Sequence, residues 1–249
     1  MCTATSPCHV PARQLEATRA SEENPMNGFD ENQVMLMDEA CIVVDEEDYP
    51  IGTASKKDCH LMANIAQGLL HRGFGVYIFD SKNRLLLQQR ASQKITFPNV
   101  WSSSCCSHPL DIAGERGTDL HTAVEGVQRA AQRKMLQELG ISAEQIQLEK
   151  IQFLTRVYYK APITGIWGEH EIAYALLVQA DVNLDINPNE VQDTRYVTEG
   201  ELKQLLNDER IEFSPWFRIM CDSLLFDWWK HIETGVLEPI LYNTSIQKI

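Results

Sequence analysis

The sequence lacks any long run of apolar residues and is poor in basic residues. A membrane-spanning helix needs roughly 20 consecutive apolar residues, and no run in this chain of 249 residues approaches that length, so we expect no membrane span. The chain has 22 lysines and arginines against 35 aspartates and glutamates, a net charge of −13. Because nucleic acids are bound through basic surfaces, this charge argues against a nucleic-acid-binding protein. An anionic substrate must be held by a few local cations or by a metal.

The sequence also lacks the pattern of a secretory signal, a basic segment followed by an apolar one. It has seven cysteines, an odd number, and two of them are adjacent. These features predict free thiols in a reducing compartment. We therefore expect a cytoplasmic location. For the oligomeric state, which the thiols do not determine, we favour a monomer. The peroxisome is the alternative location, although the final Gln-Lys-Ile differs from the Ser-Lys-Leu peroxisomal signal.

The start of the chain differs in composition from the rest. Residues 1–33 are rich in Ser, Thr, Pro, Asn and Glu and have no hydrophobic period, which predicts a disordered N-terminal extension. Hydrophobic residues make up 44% of the whole chain, as in globular proteins. Residues 34–249 contain no internal repeat and predict one domain.

Short apolar runs alternate with helical patterns along that domain. A capping box at Thr122 and Glu125 predicts a helix that ends at Gly140, while Thr198 and Ser214 open two further helices. The turn at residues 80–83 predicts a hairpin. Mixed hairpins and helices predict a mixed α/β (α+β) fold rather than a doubly wound sheet. The predicted strands are 41–44, 74–79, 85–89, 151–159, 172–178 and 195–197.

Two glutamates flank a histidine in the segment Glu169-His170-Glu171. In a strand the glutamates share one face, and His170 lies on the other. Adjacent carboxylates repel each other unless a cation or a shared proton joins them. The segment therefore indicates a metal site or an acid/base site, and its alternative is a solvated strand edge.

Three histidines and a cysteine are further candidates for chemistry. Cys106 and His108 share a face if their Ser-rich segment is extended, so the histidine could stabilise a thiolate or bind a metal. The alternative is a buried thiol beside a loop histidine. The spacing of His60 and His71 excludes a metal motif on one helix, and the alternative for each of them is an ordinary core or surface histidine. Three histidines and two glutamates would nevertheless suit Mg, Mn or Zn.

A few cations and aromatic residues complete the set. Lys56, Arg90 and Lys94 would suit one diphosphate group, and their alternative is an ordinary exposed surface. Lys134 and Glu138 are one helical turn apart, which predicts a surface ion pair. Trp216 is a core residue by default, but an indole face can stabilise a cation.

Taken in order, these segments resemble type I isopentenyl-diphosphate Δ-isomerase, a family of the Nudix superfamily. The resemblance runs from about Cys41 to Trp229. It rests on KKDCHL at 56–61, LLHR at 69–72, LLQQR at 86–90, CCSHPL at 105–110, RAAQRK at 129–134, WGEHE at 167–171 and SPWF at 214–217.

The resemblance implies a Nudix-like fold, a mixed sheet flanked by helices. It also implies the isomerisation of isopentenyl diphosphate to dimethylallyl diphosphate in isoprenoid and sterol precursor biosynthesis. It implies catalytic roles for Cys106 and Glu171, with Tyr159 assisting, and an aromatic wall at Trp216. It implies diphosphate contacts from Lys56, Arg90, Lys94 and Ser107, and a Mg²⁺ that accompanies the diphosphate near Glu138. It further implies a second divalent ion (Mg, Mn or Zn) bound by His60, His71, His108, Glu169 and Glu171.

One residue and one segment of the sequence depart from the expected patterns. Ser103 stands where this family usually has Asn. Where Nudix hydrolases have Arg-Glu followed by a Glu pair, this chain has Arg133-Lys134 and Gln137-Glu138. The loss of acidic metal ligands argues against phosphoanhydride hydrolysis. A Nudix pyrophosphohydrolase and a non-catalytic Cys/His metal or thiol module are the two alternatives.

Overall fold

The computed structural model describes residues 26–162 and 165–249. All ten strands in this part of the chain belong to one mixed sheet. The elements in chain order are α1 (Glu31–Leu36), β1 (Ala40–Val44), β2 (Pro50–Ser55), α2 (Lys56–His60), α3 (Met62–Ile65), β3 (His71–Phe79), β4 (Leu85–Arg90), β5 (Trp101–Ser102), β6 (Cys105–Ser107), α4 (Leu120–Leu139), a 3₁₀ turn (Leu148–Lys150), β7 (Gln152–Pro162), β8 (Gly168–Gln179), β9 (Val191–Val197), α5 (Glu199–Leu206), α6 (Pro215–Met220), a π-helical segment (Cys221–Leu225), α7 (Phe226–Thr234) and β10 (Ile246–Lys248).

Strand β3 organises the sheet. It pairs in parallel with β8 over its whole length, from His71 opposite Glu171 to Phe79 opposite Gln179. It also pairs antiparallel with β1, β4 and β6. β7 and β10 extend the sheet beyond β8, and β9 pairs with β4. Parallel and antiparallel pairs in one sheet confirm the predicted mixed α/β class.

Each face of the sheet is covered by a different helical layer. Side chains alternate along a strand, so Ile78 of β3 packs in the core that contains Val127 and Met135 of α4. Its neighbour Phe79 packs in the core that contains Trp229 of α7. Within the described residues, the helices are too short or too polar to span a bilayer.

The ends of the helices agree with the predictions in all but one case. Helix α5 has the predicted capping box between Thr198 and Glu201. Helix α4 ends at Gly140, as predicted, but it begins earlier than predicted. Its N-cap is Asp119, whose carboxylate accepts from the Thr122 backbone N–H at 3.0 Å. Thr122 therefore occupies the third helical position, because an aspartate was available three residues before it as a stronger cap.

The folded domain also begins earlier than the predicted boundary at residue 34. Asp30 caps α1, and the buried Gln33 side chain donates to the Asn189 carbonyl at 3.0 Å and to its side chain at 2.8 Å. A composition-based boundary missed this helix because most of its side chains are polar or exposed. The rest of the predicted extension falls on residues 1–25, outside the described residues.

Two helix-ending glycines provide a matched test of packing behind the α4 C-terminus. Gly140 and Gly235 have φ values of 68° and 70°. A Cβ on Gly140 would lie 2.5 Å from the Asp185 carbonyl oxygen, whereas a Cβ on Gly235 would meet nothing within 4 Å. We expect Gly235→Ala to lower the unfolding free energy by about 1–2 kcal/mol, the cost of left-handed backbone. Gly140→Ala should cost about 1–3 kcal/mol more, because backbone must move.

Chemical denaturation measures this difference, on condition that the unfolding free energies of both variants fall with denaturant concentration at the same slope. Equal destabilisation of the two variants would contradict it.

Candidate active site

A pocket lies between α6 and the sheet, over the paired strands β3 and β8. Two glycines of β3, Gly73 and Gly75, leave space above the sheet here. The pocket lining includes Lys56, His60, Gly75, Tyr77, Arg90, Lys94, Thr96, Cys106, Ser107, His108, Tyr159, Glu169, Glu171, Trp216, Ile219 and Met220. Tertiary packing thus brings together residues that are widely separated in the sequence.

Three histidines and two glutamates form a buried cluster at one end of the pocket. Their ligand atoms all lie within 4.8 Å of one another, and the members are His60, His71, His108, Glu169 and Glu171. The centroids of the three imidazole rings are 4.9–5.0 Å apart. His71 lies directly opposite Glu171 in the β3–β8 pair. His60 comes from the end of α2, and His108 follows β6, so four elements contribute to the cluster.

Strand β8 has the predicted alternation. Glu169 and Glu171 point into the cluster, while His170 points to the other face and contacts the Tyr158 hydroxyl at 2.9 Å and the Leu69 carbonyl at 2.8 Å. The glutamate pair is therefore a buried site rather than a solvated strand edge.

The polar atoms of the cluster satisfy one another only in part: His108 Nε2 lies at hydrogen-bond distance from Glu171 Oε1, 2.7 Å away, but other atoms converge without such a bond. His60 Nδ1 lies 2.6 Å from the Lys56 carbonyl, which makes it the protonated nitrogen. His60 Nε2 then faces Glu169 Oε2 at 3.0 Å; burial disfavours a proton between them, but the Glu169 charge outweighs it and raises the pKa of His60, so this place attracts a cation. Neither ring nitrogen of His71 makes a hydrogen bond.

Buried lone pairs that face each other in this way are costly unless a cation lies among them. Imidazole nitrogens and carboxylate oxygens are common ligands of divalent metals. The five residues therefore fit a divalent metal ion.

Glu171 also contacts a tyrosine. The Tyr159 hydroxyl donates to Glu171 Oε2 at 2.6 Å. Burial, reinforced by the charge of Glu171, raises the pKa of Tyr159 well above its ordinary value, so the phenol keeps its proton. Burial favours a neutral Glu171, but the imidazoles of His108 and His71 outweigh it and hold the pKa of this carboxyl well below its usual range.

The cysteine predicted to be catalytic borders the same pocket. Cys106 pairs with Gly75 of β3, whereas the Glu171 carboxylate packs directly over Gly73. Two residues along a strand correspond to about 7 Å, which sets the scale of the separation between thiol and carboxylate. Cys106 Sγ lies 3.7 Å from Arg90 Nη1 and from Ser102 Oγ. Burial raises the pKa of the Cys106 thiol, and the Arg90 charge opposes this increase.

The three predicted diphosphate-binding cations are buried pocket residues, not ordinary surface cations. Lys56, Arg90 and Lys94 are only 7–8% exposed, and all three line the pocket. Arg90 is oriented by the carbonyls of Phe97 and Thr96, at 2.9 and 2.8 Å. Burial lowers the pKa of Lys94 to about 8, although Glu190 opposes this shift.

Trp216 forms an aromatic wall of the pocket. Its Nε1 donates to Ser102 Oγ at 3.0 Å, and its ring meets Phe97 edge to face at a centroid distance of 4.8 Å. Ser214, predicted as a helix cap, makes no side-chain cap; its hydroxyl instead contacts Ser102 Oγ at 2.9 Å. The start of α6 is thereby held against the Cys106 side of the pocket.

The sequence of this chain is similar to those of known proteins. A NUDIX domain model matches residues 69–217. The chain is 58% identical over 238 residues to isopentenyl-diphosphate delta-isomerase idi1 of Aspergillus fumigatus, an alignment that covers 92% of this chain and 85% of that protein. It is 56% identical to the isopentenyl-diphosphate delta-isomerase of Schizosaccharomyces pombe, with 86% and 93% covered. It is 45% identical to isopentenyl-diphosphate Delta-isomerase 1 of Mus musculus, with 89% and 96% covered.

The chain belongs to the isopentenyl-diphosphate delta-isomerase family. This membership confirms the predicted family, the predicted Nudix-like fold and the predicted class of enzyme.

One member of the predicted set lies apart from the metal cluster of this isomerase. Glu138 is 3% exposed, and it is neither in the five-residue cluster nor among the pocket-lining residues. Its carboxylate lies 3.2 Å from Lys134 Nζ and accepts from Gln88 at 3.2 Å. The prediction of a surface Lys134–Glu138 pair is therefore wrong, because this face of α4 lies against Gln88 of β4 and Cys105 of β6 rather than facing solvent.

Sequence reasoning missed several residues that shape the isomerase pocket. Ser102 contacts Cys106, Trp216 and Ser214, but nothing in a run of serines distinguishes it. Glu190 contacts Lys94 from a loop that is distant in sequence. Gly73 had a usable signal, because a Gly-x-Gly pattern inside a buried strand indicates a close approach. Ser103, in place of the usual Asn, has a buried hydroxyl without a hydrogen-bond partner among the described residues.

The close approach of Glu171 to β3 makes Gly73 a test of the metal cluster. A Cβ on Gly73 would lie 2.7 Å from Glu171 Oε1, whereas the nearest atom to a Cβ on Gly75 is 3.6 Å away. We expect Gly73→Ala to displace the carboxylate and to weaken divalent-metal binding by about 10–100-fold, the usual effect of disturbing a ligand's support. Gly75→Ala should bind metal like the unchanged chain.

Metal titration by calorimetry checks this, with circular dichroism to verify folding. Equal affinities for a folded Gly73→Ala variant and Gly75→Ala would contradict the prediction.

Proposed function

We propose that this pocket interconverts isopentenyl diphosphate and dimethylallyl diphosphate, as its family implies, in isoprenoid and sterol precursor biosynthesis. One observation carries the proposal. The Cys106 thiol and the Tyr159–Glu171 pair border the same pocket on the same face of β3, separated by about two residues along the strand. A separation of about 7 Å suits a five-carbon chain that lies between a proton donor and a proton acceptor.

The reaction moves a double bond by one protonation and one deprotonation. We propose that the Tyr159–Glu171 pair delivers a proton to the terminal methylene carbon, which leaves a tertiary carbocation. The thiolate form of Cys106, which the Arg90 charge favours, then removes a proton from the methylene carbon on the diphosphate side and becomes a thiol, and the new double bond forms there. One proton enters and one leaves, so no redox partner is required. General acid–base catalysis requires that the acid and the base each lie within reach of the carbon that they protonate or deprotonate.

The diphosphate is held at the cationic end of the pocket. Lys56, Arg90, Lys94 and Ser107, which all line the pocket, would contact its oxygens. Charge-assisted bonds of this kind are short and strong. Glu138 is proposed as the carboxylate near the Mg²⁺ that accompanies the diphosphate. These contacts provide position rather than bond making.

The carbocation needs protection from water. Trp216 and Tyr77 line the pocket together with Ile219 and Met220 of α6. An indole face stabilises a neighbouring positive charge, and apolar side chains keep water from quenching it. Arg90 also lies against Trp216, 5.6 Å from the ring centroid.

The His/Glu cluster is proposed to hold Mg²⁺, Mn²⁺ or Zn²⁺ through His60, His71, His108, Glu169 and Glu171. Such an ion would supply positive charge beside the Glu171 carboxylate and fix its orientation. The Glu171 carboxylate and the Tyr159 hydroxyl would thereby keep their orientation when substrate binds. The favoured monomer and the cytoplasmic location, with the peroxisome as its alternative, stay predictions.

Substitution of the two adjacent cysteines tests the proton-transfer scheme. Cys106→Ala should lose at least 100-fold in turnover of isopentenyl diphosphate, because a positioned acid or base contributes about 10²–10⁴-fold. In heavy water it should also lose incorporation of deuterium into the carbon that becomes vinylic. Cys105 is fully buried and contacts Glu138 on the opposite side of β6, so Cys105→Ala should stay within about tenfold of the unchanged enzyme.

Mass spectrometry and NMR of the recovered substrate and product provide the measurement. Full deuterium exchange in Cys106→Ala would refute the role of its thiol, and phosphate release would instead indicate a hydrolase.

Metal removal tests the His/Glu cluster separately from catalysis. Saturation at 100 times the dissociation constant stabilises a protein by about 2.7 kcal/mol, which in a chain of this size raises the melting temperature by roughly 5–10 °C. We expect chelation to lower the melting temperature by that amount and added Mg²⁺, Mn²⁺ or Zn²⁺ to restore it. His71→Asn should abolish the response, whereas the exposed His121→Ala should retain it.

Differential scanning calorimetry measures this response. An unchanged response in His71→Asn would mean that the metal binds elsewhere.

A further inference from the structure

Glu190 lies behind the diphosphate end of the pocket without lining it. It is 3% exposed and precedes β9. Its Oε2 accepts from Lys94 Nζ, and its Oε1 accepts from Gln137 Nε2 at 3.0 Å. Lys134 Nζ lies 3.9 Å from the same Oε1. A buried carboxylate with two lysine neighbours and an amide donor is held in one orientation.

Lys94 needs a counter-charge at this place. It is 7% exposed, and the charges of Arg90, Lys56 and Lys134 all disfavour its protonated form. Glu190 is the acid that lies within ion-pair distance of Lys94 among the described residues. Without that carboxylate, a buried ammonium among three other cations would lose its proton more readily.

The geometry leaves Lys94 available for an anion. An ammonium group has three N–H donors, and Glu190 takes one of them from outside the pocket. The remaining donors belong to a side chain that lines the pocket. The carboxylate thus fixes a flexible four-carbon side chain while leaving hydrogen-bonding capacity toward the substrate.

The charge balance supports the same role. Lys56, Arg90, Lys94 and Lys134 contribute four positive charges near this end of the pocket, and Glu190 and Glu138 contribute two negative charges. The region therefore keeps a net positive charge for a diphosphate.

We propose that Glu190 is a positioning residue that holds the Lys94 ammonium, charged and oriented, for the substrate diphosphate. This inference rests on the proposed function, in which Lys94 contacts the diphosphate. Glu190 itself touches no substrate and transfers no proton.

Steady-state kinetics of the full-length, metal-loaded enzyme with isopentenyl diphosphate tests the inference. Glu190→Gln keeps the shape of the side chain and removes its charge. We expect KM to rise about tenfold or more, since one partner of a buried ion pair is lost, with kcat within about threefold. Loss of the Glu190 charge should lower the pKa of Lys94 further, because the charges of Arg90, Lys56 and Lys134 remain, and we expect the alkaline limb of kcat/KM to move to lower pH. Glu190→Asp, which restores the charge, should recover part of the loss in KM.

Two further variants separate this inference from the function on which it rests. Lys94→Gln should raise KM, and adding Glu190→Gln to it should change KM little further. Asp80 is also a buried acid with a basic partner, Arg84 at 2.6 Å, but it lies in the β3–β4 turn outside the pocket. Asp80→Asn should therefore leave KM and the pH profile unchanged.

The possible failures point to different conclusions. An unchanged KM in Lys94→Gln would refute the proposed diphosphate contact. A raised KM in Lys94→Gln but an unchanged KM and pH limb in Glu190→Gln would overturn only the role of Glu190. The role of Glu190 would also be overturned if the increase in KM of the double variant equalled the product of the increases in the two single variants. If Glu190→Gln does not fold, an unchanged KM in a folded Glu190→Asp, whose shorter side chain must loosen the contact, would do the same.

Discussion

The parallel pairing of β3 with β8 is the constraint on which the active site depends. This register sets His71 opposite Glu171 and continues without a bulge to the end of β3. Because side-chain direction alternates along a strand, a slip of one residue would turn both glutamates of β8 away from the histidines. The apolar residues on the opposite face, such as Val76 and Leu176, would lose their core at the same time. The burial that stabilises the sheet therefore also maintains the geometry of the metal ligands.

Electrostatics divides the pocket into regions with different tasks. The His/Glu cluster concentrates nitrogen and oxygen acceptors, which favour binding of a cation. The end of the pocket at Lys94 concentrates positive charges, which favour binding of an anion. Neither set would be stable in a buried place without compensation. Carbonyls orient Arg90, and Glu190 neutralises part of the positive charge, so each group stays ready for a ligand. Between these ends, the wall formed by Trp216 has little charge of its own, which suits a hydrocarbon.

Local patterns in the sequence predicted much of the site, and tertiary packing decided the rest. Alternation in a strand was enough to predict that Glu169 and Glu171 point together, because that property needs only local backbone. The meeting of His60 with His71 could not follow from spacing, since it depends on how α2 packs beside β8. Lys134 and Glu138 were assigned to the surface because charge normally avoids the core. Their burial depends on partners such as Glu190, which lies more than fifty residues away in the sequence.

The contact between α1 and Asn189 ties the beginning of the folded domain to the substrate end of the pocket. Asn189 is the chain neighbour of Glu190, and it is held by Gln33 and Asp30. A shortened chain that starts at residue 34 would retain every residue of the proposed chemistry and still lose this brace. Its defect would emerge as poor affinity for substrate rather than as a failed reaction step. We therefore expect a truncation that removes α1 to act on substrate binding, even though it leaves the catalytic groups in place.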